Sequence, residues 1–127
     1  MSGAVRVLVV DDDALICRAL RRTLTASKFE VVTAEGIAAA KAEVEGSEPF
    51  HVVLCDLTLK DGSGAVFVDW LEQASPSLWR RTLVMTGGAM DPAGRKLVDG
   101  GRVEVVLKPF DLMWLVERVG AVAARAD

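Results

Sequence analysis

Short apolar segments alternate with amphipathic segments along the chain. Val5 to Val10 is an apolar, β-branched run of the kind that a buried parallel strand needs. Four later segments have a similar character and predict further strands at Phe29–Thr33, His51–Cys55, Leu83–Met85 and Val103–Leu107. The spacing of these runs leaves room for one helix after each strand.

Helical patterns occupy the intervals between the predicted strands. Asp13 is a good N-cap for a first helix, and Asp111 is a good N-cap for the last one. The other helices are predicted at Ile37–Val44, Ala65–Gln73 and Ala93–Val98. A strand followed by a helix, five times over, predicts an α/β domain with a parallel five-stranded sheet and helices on both faces.

Composition narrows the class of protein. The chain has 127 residues, of which 51% are hydrophobic and 26% charged, so we expect a single globular domain over residues 1–127. A net charge of −3 gives no reason to expect nucleic-acid binding, and no apolar stretch approaches the length of a membrane span. Cys17 and Cys55 lie far apart and no signal peptide is evident, which favours reduced thiols and a cytoplasmic location.

The first predicted strand ends in three consecutive carboxylates, in the stretch V-L-V-V-D-D-D. Adjacent like charges repel, and the repulsion grows as water is excluded. A solvated turn in which Asp13 caps the first helix would explain the triplet. A bound cation between the carboxylates would explain it as well, and the triplet alone does not decide between the two.

Other polar residues follow the predicted strands directly. Asp11 and Asp12 follow the first strand, Asp56 the third, Thr86 the fourth and Lys108 the fifth. Because the carboxyl ends of parallel strands lie at one edge of the sheet, we expect these side chains to meet there. Oxygen-only ligands suit Mg²⁺, and a lysine and a hydroxyl are suited to bind a phosphoryl group. The pattern therefore favours the cation.

These segments resemble the receiver domain of two-component response regulators. The resemblance rests on V-L-V-V-D-D-D, V-V-L-C-D-L-T-L-K-D-G-S-G, L-V-M-T-G-G and V-L-K-P-F-D, in this order and at the spacing of the family. It implies a flavodoxin-like (βα)5 fold in which Asp56 is the phosphoacceptor and Asp11 and Asp12 are the acidic pair that binds Mg²⁺. It also implies a backbone carbonyl ligand from Thr58, a switch hydroxyl on Thr86, and a conserved lysine, Lys108, before a cis-proline at Pro109.

The resemblance also implies a reaction and its partners. Asp56 would take a phosphoryl group from the phosphohistidine of a histidine kinase or phosphotransfer protein, with Mg²⁺ bound, and would relay the signal by a change of conformation. We expect a signalling domain that carries out only its own phosphorylation and dephosphorylation, with no output domain in these residues. The T-G-G-A segment resembles receivers attached to hybrid sensor kinases.

Three positions bear on how far the resemblance extends. Lys60 replaces the usual proline after the phosphoacceptor, although Asp61-Gly62 is itself a good turn pair. Val105 replaces the aromatic residue whose movement accompanies switching in the family. Trp114 falls opposite the predicted core stripe of the last helix, so a homodimer partner or target protein could bind there.

Two other functions stay open at the level of sequence. Asp11 and Asp13 have the D-x-D spacing of haloacid dehalogenase-type phosphatases, although that family expects Thr or Val where this chain has Leu15 and needs more length. A degenerate receiver that only binds other proteins is the second alternative. The complete set of acids, Thr86 and Lys108 argues against it.

Overall fold

The structure is a computed structural model that describes residues 4–125. The strands of its main sheet are β1 (Arg6–Val10), β2 (Glu30–Ala34), β3 (Val52–Asp56), β6 (Thr82–Thr86) and β7 (Glu104–Leu107). A short hairpin after β3 consists of β4 (Thr58–Leu59) and β5 (Gly62–Ser63). The helices are α1 (Ala14–Ala26), α2 (Ile37–Val44), α3 (Gly64–Ala74), α4 (Pro76–Trp79), α5 (Pro92–Asp99) and α6 (Leu112–Ala123).

The main sheet has five parallel strands in the order β2-β1-β3-β6-β7. Helices α1 and α6 cover one face, and α2, α3 and α5 cover the other. This confirms the predicted doubly wound α/β fold. No helix among residues 4–125 is long and apolar enough to cross a membrane.

Burial on both faces explains why the central strands are apolar without interruption. Val7 and Val9 pack with α1 and α6, whereas Leu8 and Val10 pack with the helices of the opposite face. Successive side chains of a strand point to opposite faces, so each face needs its own apolar set. All of β3 is buried, and it is the middle strand of the sheet, so its last residue, Asp56, lies midway along the carboxyl edge.

Aspartate side chains cap the N-termini of three helices. Asp13 accepts hydrogen bonds from the N–H groups of Leu15 and Ile16, which confirms it as the cap of α1. Asp111 caps α6 in the same way, as expected, and Asp91 caps α5. Each carboxylate satisfies backbone donors that have no partner inside the helix.

The structure differs from the predicted elements mainly at their boundaries. Most of the strands begin one residue later than expected, and β6 is longer at both ends. The sequence pattern did not predict α4 or the β4–β5 hairpin. Both are too short to show a periodic pattern, and α4 depends instead on a proline at its first turn.

The three tryptophans differ in exposure, as their positions in the sequence pattern predict. Trp114 is exposed on α6, whereas Leu115, Val119 and Val122 are fully buried beneath it, as the predicted stripe requires. Trp70 is partly buried against the core and stacks on Phe67, with 5.8 Å between the ring centroids. Packing was also expected for Trp79, which lies against the same core.

Phe67 tests the core between the sheet and α3. Its side chain is fully buried, so Phe67→Ala should lower the free energy of unfolding by about 3–5 kcal/mol through lost burial and a residual cavity. Leu15→Ala is the control, because Leu15 is exposed and its truncation should change stability by at most about 0.5 kcal/mol. Urea unfolding followed by circular dichroism measures both. Equal losses in the two variants would contradict the assigned core.

An ion-pair network links the edge strand β7 to α6. The guanidinium of Arg118 donates to both carboxylate oxygens of Glu104, at 2.7 and 2.6 Å, and Arg125 donates to one of them at 2.9 Å. Hydrogen bonds from Arg118 hold the pKa of Glu104 below its usual value. The ionised carboxylate is therefore favoured in the folded state.

This network predicts a loss of stability in acid. A carboxyl group whose pKa is lower in the folded state contributes stability above its unfolded pKa and loses it as the pH falls through its folded pKa. The contribution of Glu104 to the free energy of unfolding should therefore be lost as the pH falls below about 5, and Glu104→Gln should make the acid-induced decrease shallower. Glu43→Gln removes an exposed carboxylate from α2 and is the charge-matched control. An unaltered slope in Glu104→Gln would argue against the network.

Candidate functional site

The carboxyl edge of the main sheet gathers polar residues from four strands. Asp11 and Asp12 follow β1, and Asp56 is the last residue of β3. Thr86 is the last residue of β6, and Lys108 follows β7. All four strands run parallel, so their ends lie at one edge, as the sequence argument expects.

Lys108 joins two of the carboxylates directly. Its Nζ lies 2.8 Å from Oδ2 of Asp56 and 3.1 Å from Oδ2 of Asp11. Asp11 is fully buried and Asp56 is 7% exposed, so water screens this contact poorly. The ammonium group therefore partly offsets the repulsion between the two acids.

Backbone N–H groups hold the remaining oxygens of these two carboxylates. Asp13 N–H donates to Oδ1 of Asp11, and Thr58 N–H donates to Oδ1 of Asp56, each at 2.9 Å. Both donors lie two residues after their acceptors, in the turns that leave β1 and β3. The turns thus fix the rotation of each carboxylate.

Burial and charge act in opposite directions on the pKa values of the site. Burial raises the pKa of Asp11, the N–H of Asp13 opposes this rise, and the nearby charge of Asp56 adds to it. Burial also lowers the pKa of Lys108, but hydrogen bonds to Asp56 and Asp11 outweigh it and leave the pKa above its usual value. Lys108 is therefore held as a cation.

The three acids have the arrangement of a cation site. One carboxylate oxygen each from Asp11, Asp12 and Asp56 lie within 4.8 Å of one another. Two ionised groups this close repel by at least about 3 kcal/mol at an effective dielectric constant near 20, and one ammonium does not neutralise three carboxylates. All the donors are oxygens, which fits Mg²⁺ rather than a softer metal.

Thr86 lies at the same edge but contacts its own loop. The residue is buried, and its Oγ1 accepts a hydrogen bond of 3.1 Å from Gly88 N–H. Its backbone carbonyl accepts from Lys108 N–H at 2.8 Å. The Thr86 hydroxyl can donate a hydrogen bond while it accepts this one, because a hydroxyl group has both a donor and acceptor lone pairs.

Close packing of α3 fixes the segment after Asp56. Gly64, the first residue of α3, lies so close to β3 that a Cβ there would be 2.0 Å from the Asp56 carbonyl oxygen. Only glycine allows this approach. Cys55 is fully buried in the core and its burial raises the pKa of the thiol, which agrees with an unreactive cysteine.

One feature near the site agrees with the resemblance, and one was not predicted from the sequence. The Lys108–Pro109 peptide bond is cis, as the resemblance implied. The contact of Asp61 with α2 was missed, since Asp61 was expected only to form a turn with Gly62. Its carboxylate accepts hydrogen bonds from Ile37 and Ala38, far away in the sequence, and the local pattern carries no signal of that contact.

Comparison with known proteins gives consistent matches over most of the chain. The family model described as "Response regulator receiver domain" matches residues 7–120. The transcriptional regulatory protein KdpE of Mycobacterium tuberculosis H37Rv is 34% identical over 120 residues, which are 94% of this chain and 51% of KdpE. The response regulator protein PilR of Pseudomonas aeruginosa is 32% identical over 114 residues, 90% of this chain and 25% of PilR.

Solved structures show the same fold. The CheY-like receiver domain protein from Methanospirillum hungatei JF-1 superposes with a TM-score of 0.84 at 23% identity, covering 95% of this chain and 94% of that one. The non-phosphorylated HemR receiver domain from Leptospira biflexa gives 0.81 at 26% identity, covering 97% of both chains.

The match concerns a signalling domain and not a whole protein. The chain spans about half the length of KdpE and a quarter of PilR. A protein-glutamate methylesterase of Cereibacter sphaeroides also matches, at 34% identity over 29% of its length. With the family model covering most of its length and an acidic cluster at the expected sheet edge, this chain belongs to the response regulator receiver domain family.

Proposed function

We propose that this chain accepts a phosphoryl group on Asp56 from the phosphohistidine of a histidine kinase or phosphotransfer protein. The observation that carries the proposal is the geometry around Asp56. Its carboxylate lies 2.8 Å from the Lys108 ammonium and belongs to an oxygen cluster with Asp11 and Asp12. Such an arrangement supplies both a nucleophile and the positive charge that phosphoryl transfer requires.

In the proposed reaction one oxygen of Asp56 attacks phosphorus in line with the leaving histidine nitrogen. A P–O bond to Asp56 forms, the P–N bond breaks, and the nitrogen leaves with the electron pair of that bond. The Thr58 N–H, which donates to Oδ1 of Asp56, keeps the carboxylate oriented for this attack. Hydrolysis of the acyl phosphate by water, along the same line, returns the chain to its starting state.

Four groups of the chain would hold Mg²⁺: the carboxylates of Asp11, Asp12 and Asp56 and the backbone carbonyl of Thr58. When bound, the ion would neutralise charge on the transferring phosphoryl oxygens. Asp11 is fixed by Asp13 N–H and by Lys108, which keeps it at the site. Asp12 is only half-buried and therefore lies closer to solvent.

Lys108 and Thr86 would bind the phosphoryl oxygens. Lys108 already lies between Asp11 and Asp56, so its ammonium can contact a new oxygen on Asp56 with little movement. Thr86 Oγ1 can donate to another phosphoryl oxygen while it continues to accept from Gly88 N–H. A shift of Thr86 toward the phosphoryl group would pull on the β6–α5 loop.

The proposed relay must work without a large side chain at position 105. Val105 is half-buried against the core on the face of the sheet that α5 also covers, and its short branched side chain has little rotational freedom. The output is therefore proposed to involve α5 or α6 directly, with Met113 and Trp114 exposed on α6 for a target protein or a second copy. We propose that the chain carries out this signalling in the cytoplasm.

The observed hydrogen bonds favour this proposal over the two alternatives. A haloacid dehalogenase-type phosphatase would use Asp11 and Asp13, but the Asp13 carboxylate is occupied in capping α1. A degenerate receiver has no need of Asp56, Thr86 and Lys108 at one sheet edge.

Phosphorylation at Asp56 is the direct test of the proposal. With Mg²⁺ and a small acyl phosphate donor, mass spectrometry should detect one phosphoryl adduct, which Asp56→Asn abolishes because the nucleophile is lost. Chelation of Mg²⁺ should abolish it too. If Asp56→Asn still forms the adduct while Asp11→Asn does not, and phosphate is released continuously, the phosphatase alternative is correct.

Lys108→Ala separates the binding of phosphoryl oxygens from the binding of the metal. Loss of the ammonium should slow adduct formation by about 10²-fold, the usual effect of removing one such donor. Mg²⁺ affinity should be retained or improved, because a competing cation is gone. Phosphorylation rates and calorimetric Mg²⁺ titrations measure the two effects. Lys96→Ala on α5 is the control, and a wild-type rate in Lys108→Ala would refute the assigned role.

A further inference from the structure

The hairpin that follows Asp56 is too short to be stable by itself. Its strands, β4 and β5, have two residues each and are joined through Lys60 and Asp61. Even longer two-stranded hairpins are only marginally stable in isolation. Contacts outside the hairpin must therefore define its conformation, and the hairpin contains Thr58, whose carbonyl is a proposed Mg²⁺ ligand.

Asp61 supplies such a contact with the amino terminus of α2. Both of its carboxylate oxygens lie 2.9 Å from Ile37 N, and Oδ2 lies 3.3 Å from Ala38 N. The residue at the N-cap position of α2 is Gly36, which has no side chain to satisfy these donors. Helix α2 is therefore capped by a carboxylate from a distant loop, and both the charge and the helix dipole strengthen the contact.

The local sequence of α2 leaves room for this carboxylate. A Cβ on Gly36 would lie 2.7 Å from Oδ1 of Asp61, so any larger residue would displace it. Lys60 adds an exposed ion pair with Glu35, with 3.6 Å between Nζ and Oε2. The turn of the hairpin and the start of α2 are thus complementary over several adjacent residues.

The other end of the hairpin is attached to the phosphoacceptor. Thr58 N–H donates to Asp56 Oδ1, and Leu57 N–H donates to the Met85 carbonyl at 3.0 Å. The segment that contains Thr58 is therefore held at one side by Asp56 and β6, and at the other by Asp61 on α2. The strand ends of the hairpin have further attachments, because Leu59 is buried in the core, Gly64 N–H donates to the Leu57 carbonyl at 2.9 Å and the Ser63 hydroxyl donates to Asp91 at 3.1 Å. The turn between the strands is held to α2 by the Asp61 carboxylate, beside the exposed ion pair of Lys60.

We propose that Asp61 is a positioning residue for the metal site. By holding the hairpin turn on α2, it keeps the Thr58 carbonyl in place for Mg²⁺ beside Asp11, Asp12 and Asp56. Asp61 acts through the backbone of the hairpin and does not touch the ion or the phosphoryl group. This inference rests on the proposed function and adds to it a restraint outside the strand ends.

The test measures Mg²⁺ affinity by calorimetry without any phosphodonor. Asp61→Ala should raise the Kd for Mg²⁺ by about tenfold, the lower range for loss of a group that orients a metal ligand. Asp61→Asn should have a smaller effect, because its amide oxygen still accepts one backbone hydrogen bond. Equal losses in the two variants would indicate that only the negative charge matters and would overturn the proposal.

Two controls separate positioning from a general loss of stability. Ala42→Gly lies on the exposed side of α2, weakens that helix by its low helix propensity and leaves Asp61 intact. It should leave the Kd for Mg²⁺ unchanged. If Ala42→Gly weakens binding as much as Asp61→Ala does, Asp61 serves only the stability of α2 and the proposal is wrong.

Rescue by a stiffer turn gives an independent readout. Lys60 is the first residue of the turn, where proline is favoured, and its φ is not positive, so proline should restrict the hairpin. Lys60→Pro should recover part of the Mg²⁺ affinity lost in Asp61→Ala, whereas Lys60→Ala, with the same change of charge, should not. Equal recovery by both would contradict positioning.

The failure of this inference differs from a failure of the proposed function. A wild-type chain that neither binds Mg²⁺ nor forms an adduct at Asp56 would remove the proposed function. A wild-type chain that does both, with an unchanged Kd in Asp61→Ala, would remove only the role of Asp61. At saturating Mg²⁺ the phosphorylation rate of Asp61→Ala should return to within about twofold of wild type.

Discussion

The close approach of Asp11 and Asp56 is the constraint on which the site depends. Two carboxylates with little access to water are unfavourable together unless positive charge lies between them. Lys108 supplies one such charge by contacting both. Because Asp12 brings a third acid to the same place, the site still favours an additional cation. A site with an excess of negative charge is suited to bind a metal ion, and the metal and Lys108 together can then offset the negative charge of a phosphoryl group.

The parallel sheet allows this cluster to form from residues far apart in the chain. The parallel strands run to the same edge, and the turns after β1 and β3 each supply an N–H group that orients a carboxylate, that of Asp11 and that of Asp56. The apolar strands therefore determine where the acids end, and the turns determine how they point. A tertiary contact also acts on the β4–β5 hairpin. The strands of the hairpin are short, and its turn hydrogen-bonds through Asp61 to the start of α2.

Sequence reasoning was effective where a residue's role depends on its position in a repeating pattern. The apolar runs located the strands, and the residues that follow them, such as Asp56 and Lys108, could be assigned to one edge from topology alone. It was less effective for contacts that depend on tertiary geometry. The capping of α2 by Asp61 joins segments whose local patterns are independent, and α4 is a single turn with no periodicity to detect. The hydrogen bond from Gly88 to Thr86 likewise depends on the path of one loop.

The most direct measurement is a crystal structure of the chain with Mg²⁺ and beryllofluoride, a mimic of the phosphoryl group. We expect beryllofluoride on a carboxylate oxygen of Asp56, with Lys108 in contact and the metal ion bound by Asp11, Asp12, Asp56 and the Thr58 carbonyl. Beryllofluoride on Asp11, or a metal ion bound away from these acids while Asp56 stays unmodified, would contradict it.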